Sequence, residues 1–183
     1  VSQEALRQAN LQLSRSERVA TPMSLTTSTT WSDESNVANR QLGRSLSTAG
    51  DVNGDGISDF VALGDNGGSN SALYLYFGSA SGPTLAAGYP VTNLPAGGQI
   101  NAAGDVNGDG YGDVVLYWHI DGHVRVYFGG PTGFNLASYN SISGHFGVNL
   151  FGFNAAPAGD IDNDGYDDLI FGMPNRSGGS PCT

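Results

Sequence analysis

The stretch "AGDVNGDGISDFVAL", residues 49–63, places a cluster of oxygen-bearing side chains directly before an apolar run. The chain repeats this pattern as "AGDVNGDGYGDVVLY" from Ala103 and as "AGDIDNDGYDDLIFG" from Ala158. The first aspartates of the three acidic loops, Asp51, Asp105 and Asp160, recur at intervals of 54 and 55 residues. Self-similarity at a fixed period indicates a repeat architecture, in which each period is one supersecondary unit.

The segments around the acidic loops have the composition of strands. "DFVAL", "DVVLYW" and "DLIFG" are rich in β-branched and aromatic residues, which favour a pleated, half-buried surface. "LYLYFGSASGP" from Leu73 and "VRVYFGGPTGF" from Val124 follow the first two loops, and Asp121-Gly122 indicates a tight hairpin turn. The pattern predicts an all-β fold of four-stranded units of about 50 residues, which is typical of β-propeller blades.

The three loops fit the pattern D-x-[DN]-x-D-G-x-x-D and predict calcium binding. Ca²⁺ takes about 6–8 oxygen ligands, and alternate side chains of a tightly curled loop can point to one centre. Side chains at positions 1, 3, 5 and 9, with the carbonyl at position 7, are the expected ligands, one ion for each loop. They are Asp51, Asn53, Asp55, Ile57 and Asp59 in loop 1; Asp105, Asn107, Asp109, Tyr111 and Asp113 in loop 2; and Asp160, Asp162, Asp164, Tyr166 and Asp168 in loop 3.

Two other interpretations of the loops are an EF-hand and a turn that binds no ion. An EF-hand loop ends in a bidentate acid at position 12 inside a helix, but position 12 here is Ala62, Leu116 or Phe171, and strands follow. Asx-rich turns that bind no ion remain an alternative for a single loop. Three loops in register favour a shared ligand.

The motifs "GDVNGDGYGDVVLY", "GDIDNDGYDDLIFGMP" and "VYFGGPTG" resemble FG-GAP repeats, the blades of the integrin α-subunit propeller. The resemblance covers residues 43–174 and implies a propeller-type fold, a Ca²⁺ ion in each loop, and an extracellular adhesive or scaffolding role. "VALGDN" and "LYWHID" lack the Gly-Ala-Pro that often ends the family's second strand. Related propellers have about seven blades, whereas this chain supplies about two and a half.

The predicted domains are an N-terminal arm, residues 1–42, and the repeats, residues 43–183, with units starting near 43, 98 and 150. The arm has a possible short helix at 2–18, followed by a Ser/Thr-rich stretch that is either a solvated linker or a donor strand presenting Met23, Leu25 and Trp31. The incomplete third unit is expected to leave Leu169, Ile170 and Phe171 uncovered. Its open edge invites a strand from the arm, from a neighbouring subunit, or from further blades.

Composition limits the partners and the location. The formal charge is −10, and 11 of the 17 acidic residues lie in the three loops. Seven Arg and no Lys argue against nucleic acid or an anionic membrane as a partner, and no apolar run approaches the roughly 18–20 residues of a membrane span. A start at Val1 is typical of a processed secreted chain or a trimmed one, and the single cysteine, Cys182, excludes an internal disulfide framework. Together with the extracellular role that the resemblance implies, the Val1 start leads us to expect a secreted or cell-surface location.

The residues do not indicate an enzyme. His119 and His123 straddle the predicted Asp-Gly turn, and no nucleophile elbow, phosphate loop or zinc spacing occurs in the sequence. An adhesive or structural module that binds protein, as a homo-oligomer, a fibre or the remaining blades, is the first hypothesis. The alternatives are a non-catalytic fragment of a larger secreted protein or hydrolase, and a glycan-binding propeller lectin that uses exposed Tyr74, Trp118, Tyr127 or Phe134.

The loops should differ in affinity for Ca²⁺, because the predicted side-chain ligands of loop 3 are four carboxylates, whereas those of the other two loops are three carboxylates and an asparagine. We expect Asp164→Ala to release one ion and to lower stability more than Asp55→Ala does. Titration calorimetry and thermal unfolding of the two variants measure the difference. Equal losses would show that ligand charge does not set the order.

Overall fold

The computed structural model describes residues 31–33, 41–65, 70–118, 123–143 and 154–172. The chain divides into two compact units, Val1–Ser32 and Asp33–Thr183. In the first unit the described residues are Trp31 and Ser32, which are exposed and outside any strand. The predicted helix at 2–18, Met23, Leu25 and the Asp121-Gly122 turn lie outside the described residues.

The first repeat forms a sheet of five antiparallel strands. They are β1 (Ser45–Gly50), β2 (Asp59–Asp65), β3 (Asn70–Phe77), β4 (Thr84–Leu85) and β5 (Val91–Pro95). The first four follow one another in order, and β5 pairs with the opposite end of β3 from β4. The sequence predicts four strands for each unit, but in the first unit the fourth strand is divided into two pieces, β4 and β5. Pro90 lies between the two pieces and has no N–H to donate to a ladder.

The second repeat forms the four-stranded sheet that the sequence predicts. Its strands are β6 (Gly98–Gly104), β7 (Asp113–Trp118), β8 (His123–Tyr127) and β9 (Asn140–Ser143), paired in chain order. Within the described part of the third repeat, β10 (Asn154–Gly159) pairs with β11 (Asp168–Gly172) as a two-stranded sheet. In each repeat, the acidic loop joins the first strand to the second.

A β-bulge precedes every acidic loop and explains the repeated Ala-Gly-Asp. The pairing register shifts between Thr48 and Gly50, and at the matching place in the other two sheets. The bulge glycines Gly50, Gly104 and Gly159 have φ angles of 72°, 85° and 67°. Residues with a side chain rarely adopt this conformation. The bulge bends the chain out of the sheet so that the loop can curl over its end.

Two apolar cores lie between successive sheets. Side chains of a strand alternate between its two faces, so Val61 and Leu63 of β2 face the second sheet and meet Leu116 and Trp118 of β7. Val115 and Tyr117 of β7 face the other way and pack with residues of the third sheet. Burying each large side chain contributes about 1.5–3 kcal/mol, so these cores supply most of the stabilisation.

The expectation that the second strand of the third unit is uncovered is wrong for two of its three side chains. Leu169 and Phe171 pack against the core between the second and third sheets. Ile170, between them, points to the opposite face and is 59% exposed. The alternation of side chains along a strand is the physical reason, because one face of β11 meets the second sheet while the other does not.

The first strands of the three sheets lie side by side, with β1 next to β6 and β6 next to β10. The N–H groups of Ile100 and Ala102 in β6 donate to the hydroxyls of Ser45 and Ser47 at 3.1 and 2.9 Å. Within the described ranges every regular element is a strand, and none is a helix with the length and hydropathy of a membrane span. The predicted all-β class with blade-like sheets is confirmed, whereas the domain boundary near 42 stays a prediction.

Candidate metal centre

The first aspartate of each loop gathers backbone N–H groups of its own loop. In loop 1, Oδ1 of Asp51 accepts hydrogen bonds from the N–H groups of Gly54 and Asp55 at 2.8 and 3.0 Å, and Oδ2 accepts one from Gly56 at 2.7 Å. In loops 2 and 3, the N–H groups at positions 5 and 6 donate to the carboxylate of the first aspartate. The distances are 3.0 and 2.9 Å to Asp105, and 3.0 Å for both bonds to Asp160. This aspartate therefore sets the curl of the loop.

Side chains at positions 3 and 5 form shorter turns inside the same curl. Asn53 Oδ1 accepts the N–H of Asp55 at 2.9 Å, and Asp55 Oδ1 accepts the N–H of Ile57 at 2.8 Å. Asn107 and Asp109 in loop 2, and Asp162 and Asp164 in loop 3, accept the equivalent N–H groups. These are Asx-type turns, which fix carboxylate and amide oxygens without help from a sheet.

In loops 1 and 2, the aspartate at position 9 is the buried member of the set. Asp59 is 2% exposed, and its two oxygens accept the N–H groups of Val52 and Gly78, each at 2.8 Å. Asp113 is 0% exposed and accepts the N–H groups of Val106 and Gly129, each at 2.9 Å. In loop 3, Asp168 accepts the N–H of Ile161 at 2.9 Å. In the two complete units, one carboxylate thus joins the start of the loop to the end of the third strand.

Burial raises the pKa of the Asp113 carboxyl to about 6. The backbone N–H groups of Gly129 and Val106 act in the opposite direction, and the carboxylates of Asp109 and Asp105 raise the pKa further. Burial also raises the pKa of Asp59. Desolvation and like charges both disfavour the ionised form, and a nearby cation favours it. The electrostatics of the loops therefore suit a positive ion.

The sequence reasoning missed Gly78 and Gly129, whose N–H groups complete the position-9 bonds. The signal that could have found them is the recurrence of Tyr-Phe-Gly at the end of both third strands. A side chain at Gly78 would overlap the carbonyl oxygen of Ser58, and one at Gly129 would overlap that of Gly112. Glycine is therefore required by the close approach of that strand end to the loop.

In loop 3, carboxylate oxygens of Asp160, Asp162 and Asp168 all lie within 4.8 Å of one another. Two oxygens bound to one Ca²⁺ at about 2.3–2.6 Å are separated by at most about 5 Å, so this spacing fits calcium. An oxygen that accepts one N–H keeps a second lone pair that can bind a cation. The donor set consists of oxygens, as hard divalent cations prefer.

The three loops form one row at the same end of the sheets. The N–H of Gly112 in loop 2 donates to the carbonyl of Asp51 in loop 1 at 2.7 Å. The N–H of Asp167 in loop 3 donates to the carbonyl of Asp105 in loop 2 at 2.9 Å. Loops 2 and 3 are thus each bonded to the loop before them, from the N–H at position 8 to the carbonyl at position 1.

The remaining predicted residues have different outcomes. The carbonyls of Ile57, Tyr111 and Tyr166 stay predicted ligands. The His123 ring nitrogen Nδ1 is 3.3 Å from the hydroxyl of Ser141, and His119 lies outside the described residues. The lectin alternative relied on exposed aromatic residues among four candidates, but the structure buries all four. The exposed fractions are 4% for Tyr74, 1% for Trp118, 6% for Tyr127 and 7% for Phe134.

Comparisons with known proteins confirm the FG-GAP resemblance. The family model described as FG-GAP-like repeat matches residues 51–116. Integrin alpha-PS3 of Drosophila melanogaster is 29% identical over 144 residues, which cover 69% of this chain and 13% of that protein. Integrin alpha-6 of Gallus gallus is 30% identical over 141 residues, which cover 69% of this chain and 13% of that protein. The chain therefore spans a small part of the length of the relatives it matches.

The position-9 bonds should stabilise the fold even without a metal. We expect Asp113→Ala to lower the free energy of unfolding by about 3 kcal/mol in EDTA, because it leaves the buried N–H groups of Val106 and Gly129 without their acceptor. Asp65→Ala is the matched control. That carboxylate is 3.6 Å from Arg44 Nε near the surface, so its loss should cost under about 1 kcal/mol. Urea unfolding measures both, and equal losses would contradict the structural role of Asp113.

Proposed function

We propose that this chain, which carries FG-GAP-like repeats of the integrin-α-like family, is a calcium-stabilised adhesive module that acts through contacts with protein. The observation that carries the calcium proposal is the set of carboxylate oxygens of Asp160, Asp162 and Asp168, within 4.8 Å of one another. Loops 1 and 2 share its curl, with asparagine at position 3. The proposed stoichiometry is about three ions for each chain.

Charge supports a cation in the loops. Of the 17 acidic residues of the chain, 11 lie in three nine-residue loops that are bonded into one row. Carboxylates packed within a few Å of one another repel, and burial adds to this cost at Asp59 and Asp113. A bound Ca²⁺ supplies positive charge at the centre of each loop. The predicted ligands at positions 1, 3, 5, 7 and 9 would hold it.

The relatives support an adhesive role and a location outside the cell. The matched relatives are named integrins, and we propose by analogy that this chain works at a cell surface or as a secreted protein. We also propose that it is not an enzyme, because its acidic side chains are engaged in holding the loops. A protein partner is favoured over a glycan, since Trp118 and the other three predicted sugar-binding aromatics are buried. A non-catalytic part of a larger secreted protein remains compatible with this role.

The open face of the third sheet is the proposed docking surface, and a further repeat unit is its proposed occupant. Val52 and Val61 of the first repeat are 0% exposed because the second repeat covers them. Their counterparts in the third repeat are Ile161 and Ile170, which are 74% and 59% exposed. The interface between successive units therefore continues onto a face that has the same apolar positions and no cover from the described residues.

The opposite end of the array differs from this open face. Ala62, Ala72, Tyr74 and Tyr76, which form the outer face of the first sheet, are 0–4% exposed. A head-to-tail polymer through that face would have to displace the atoms that bury it. The predicted arm, with Met23, Leu25 and Trp31, is the alternative partner, and it would pair with the open strand edge of the third unit.

Calcium should raise the thermal stability of the chain. Sites with dissociation constants of roughly 10⁻⁴ to 10⁻³ M are typical of extracellular calcium modules. At 100 times the dissociation constant, one such site adds about 2.7 kcal/mol. A domain of this size shifts by about 2–4 °C for each kcal/mol, so we expect the Tm to rise by at least about 5 °C. Differential scanning calorimetry in Ca²⁺, Mg²⁺ and EDTA tests this, and an unchanged curve in EDTA would contradict calcium binding.

The open face should drive association of the chain in Ca²⁺ by packing against the same face of a second copy, because the outer face of the first sheet is already buried. We expect Ile170→Asp to shift the sedimentation profile toward monomers while changing the free energy of unfolding by less than about 0.5 kcal/mol, since the side chain is exposed. Leu85→Asp, at an exposed site on β4, is the matched control and should associate as the parent does. A parent chain that stays monomeric at all concentrations would overturn the proposed surface. Dissociation on deleting 1–32, with Ile170→Asp unaffected, would assign the contact to the arm.

A further inference from the structure

Asp167 occupies position 8 of loop 3, which is not one of the predicted ligand positions. Its N–H donates to the carbonyl of Asp105 at 2.9 Å, and its Oδ2 accepts the N–H of Asp105 at 2.8 Å. Both backbone polar groups of Asp105 are therefore bonded by one residue of the next repeat. Charged acceptors make stronger hydrogen bonds than neutral ones, so this two-bond pairing is a firm link between loops 2 and 3.

The residue that Asp167 holds is the one that organises loop 2. The carboxylate of Asp105 accepts the N–H groups of Asp109 and Gly110 at 3.0 and 2.9 Å. The backbone of Asp105 is thus fixed from loop 3, while its side chain fixes loop 2. A displacement of Asp105 by the loss of either set of bonds would disturb the other.

Neighbouring contacts allow little movement between the two loops. A side chain at Gly104 would overlap the Asp167 carboxylate, and one at Gly108 would lie 2.8 Å from Cε1 of Tyr166. The ring of Tyr166 therefore lies directly over the backbone of loop 2. Contacts at residues 104, 105 and 108 hold the two loops together along much of their length.

The junction between loops 1 and 2 is a natural comparison. Gly112 is its position-8 residue, and its N–H donates to the carbonyl of Asp51 at 2.7 Å. Tyr111 lies over Gly54 as Tyr166 lies over Gly108. Glycine has no side chain that could accept the N–H of Asp51. The backbone part of the link is thus common to both junctions, and the carboxylate of Asp167 is an addition at the second one.

We propose that Asp167 is a positioning residue that couples loops 2 and 3, so that calcium binding in one raises the affinity of the other. This inference rests on the proposed calcium function. An ordered loop 3 holds Asp105 in the position from which its carboxylate shapes loop 2. By thermodynamic linkage, calcium bound in loop 2 favours the position in which Asp167 is bonded to Asp105. The factor is the same as the one by which an ordered loop 3 raises the calcium affinity of loop 2.

Two substitutions test the role of Asp167. Asp167→Gly reproduces the chemistry of the Gly112 junction, and Asp167→Asn retains an acceptor oxygen without the charge. Ser58→Gly, at position 8 of loop 1, is the matched control. The first measurement is amide hydrogen exchange in EDTA. We expect Asp167→Gly to speed exchange of the Asp105 N–H by about tenfold, with the Gly112 N–H unchanged, and Asp167→Asn to restore most of the protection.

The second measurement is a calcium titration that follows the NMR amide signals of Gly110 in loop 2 and Gly56 in loop 1. Coupling between sites is typically about 5–150-fold, and we expect Asp167→Gly to weaken binding at loop 2 about tenfold with loop 1 unchanged. Ser58→Gly should leave loop 2 as it is, and Asp167→Asn should recover most of the affinity.

The outcomes separate this inference from the calcium proposal. Unchanged exchange at Asp105 in Asp167→Gly would overturn the positioning role whether or not calcium binds. Faster exchange at Asp105 with no calcium response in any variant would uphold the positioning role and overturn both the coupling and the calcium function. Equal weakening at loops 1 and 2, or none at loop 2, would overturn the coupling. If Asp167→Gly also speeds exchange at Gly112, the Asp167→Asn variant decides between the explanations. Restored protection of the Asp105 N–H in that variant supports the role of the Asp167 side chain as an acceptor, and unrestored protection contradicts it.

Discussion

A buried carboxylate that accepts two backbone N–H groups is the interaction on which each complete unit depends. Asp59 and Asp113 each join the second residue of a loop to the glycine that ends the third strand, at distances of 2.8 to 2.9 Å. The bond fixes where the loop begins relative to the sheet. It also brings a charge into a desolvated place, which raises the pKa of the Asp113 carboxyl to about 6. The same group that builds the loop therefore favours a cation beside it.

The stacking of the units follows from this arrangement and gives the array of units a direction. Side chains alternate along the strands, so Val61 of the first unit faces the second unit and Val115 of the second unit faces the third. Ile170 of the third unit lies on an exposed face. The loops repeat the same direction through bonds from position 8 to position 1. Apolar cores and acidic loops thus run in parallel through the array. The contacts of the loops and those of the cores therefore belong to the same interface between neighbouring units.

The sequence predicted the strands and the loops well because both depend on local spacing. Glycine and aspartate at fixed positions define the curl of loop 1, and the apolar run after Asp59 defines β2. The partner of the position-9 aspartate could not be predicted in this way, because Gly78 is 19 residues away and a ligand pattern does not specify long-range hydrogen bonds. Asp167 was missed because it lies between two ligand positions. The sequence pattern does not decide whether Trp118 and Tyr74 are exposed, because their burial depends on packing outside their own strands.

We propose that the carboxylates of the three loops bind calcium, and the number of ions bound to each chain tests this arrangement. Equilibrium dialysis of the full chain against Ca²⁺, followed by elemental analysis of metal and protein, gives that number. We expect about three Ca²⁺ ions for each chain at saturation, because three loops share one ligand pattern. A chain that retains no Ca²⁺ above the level of the dialysis buffer would contradict it.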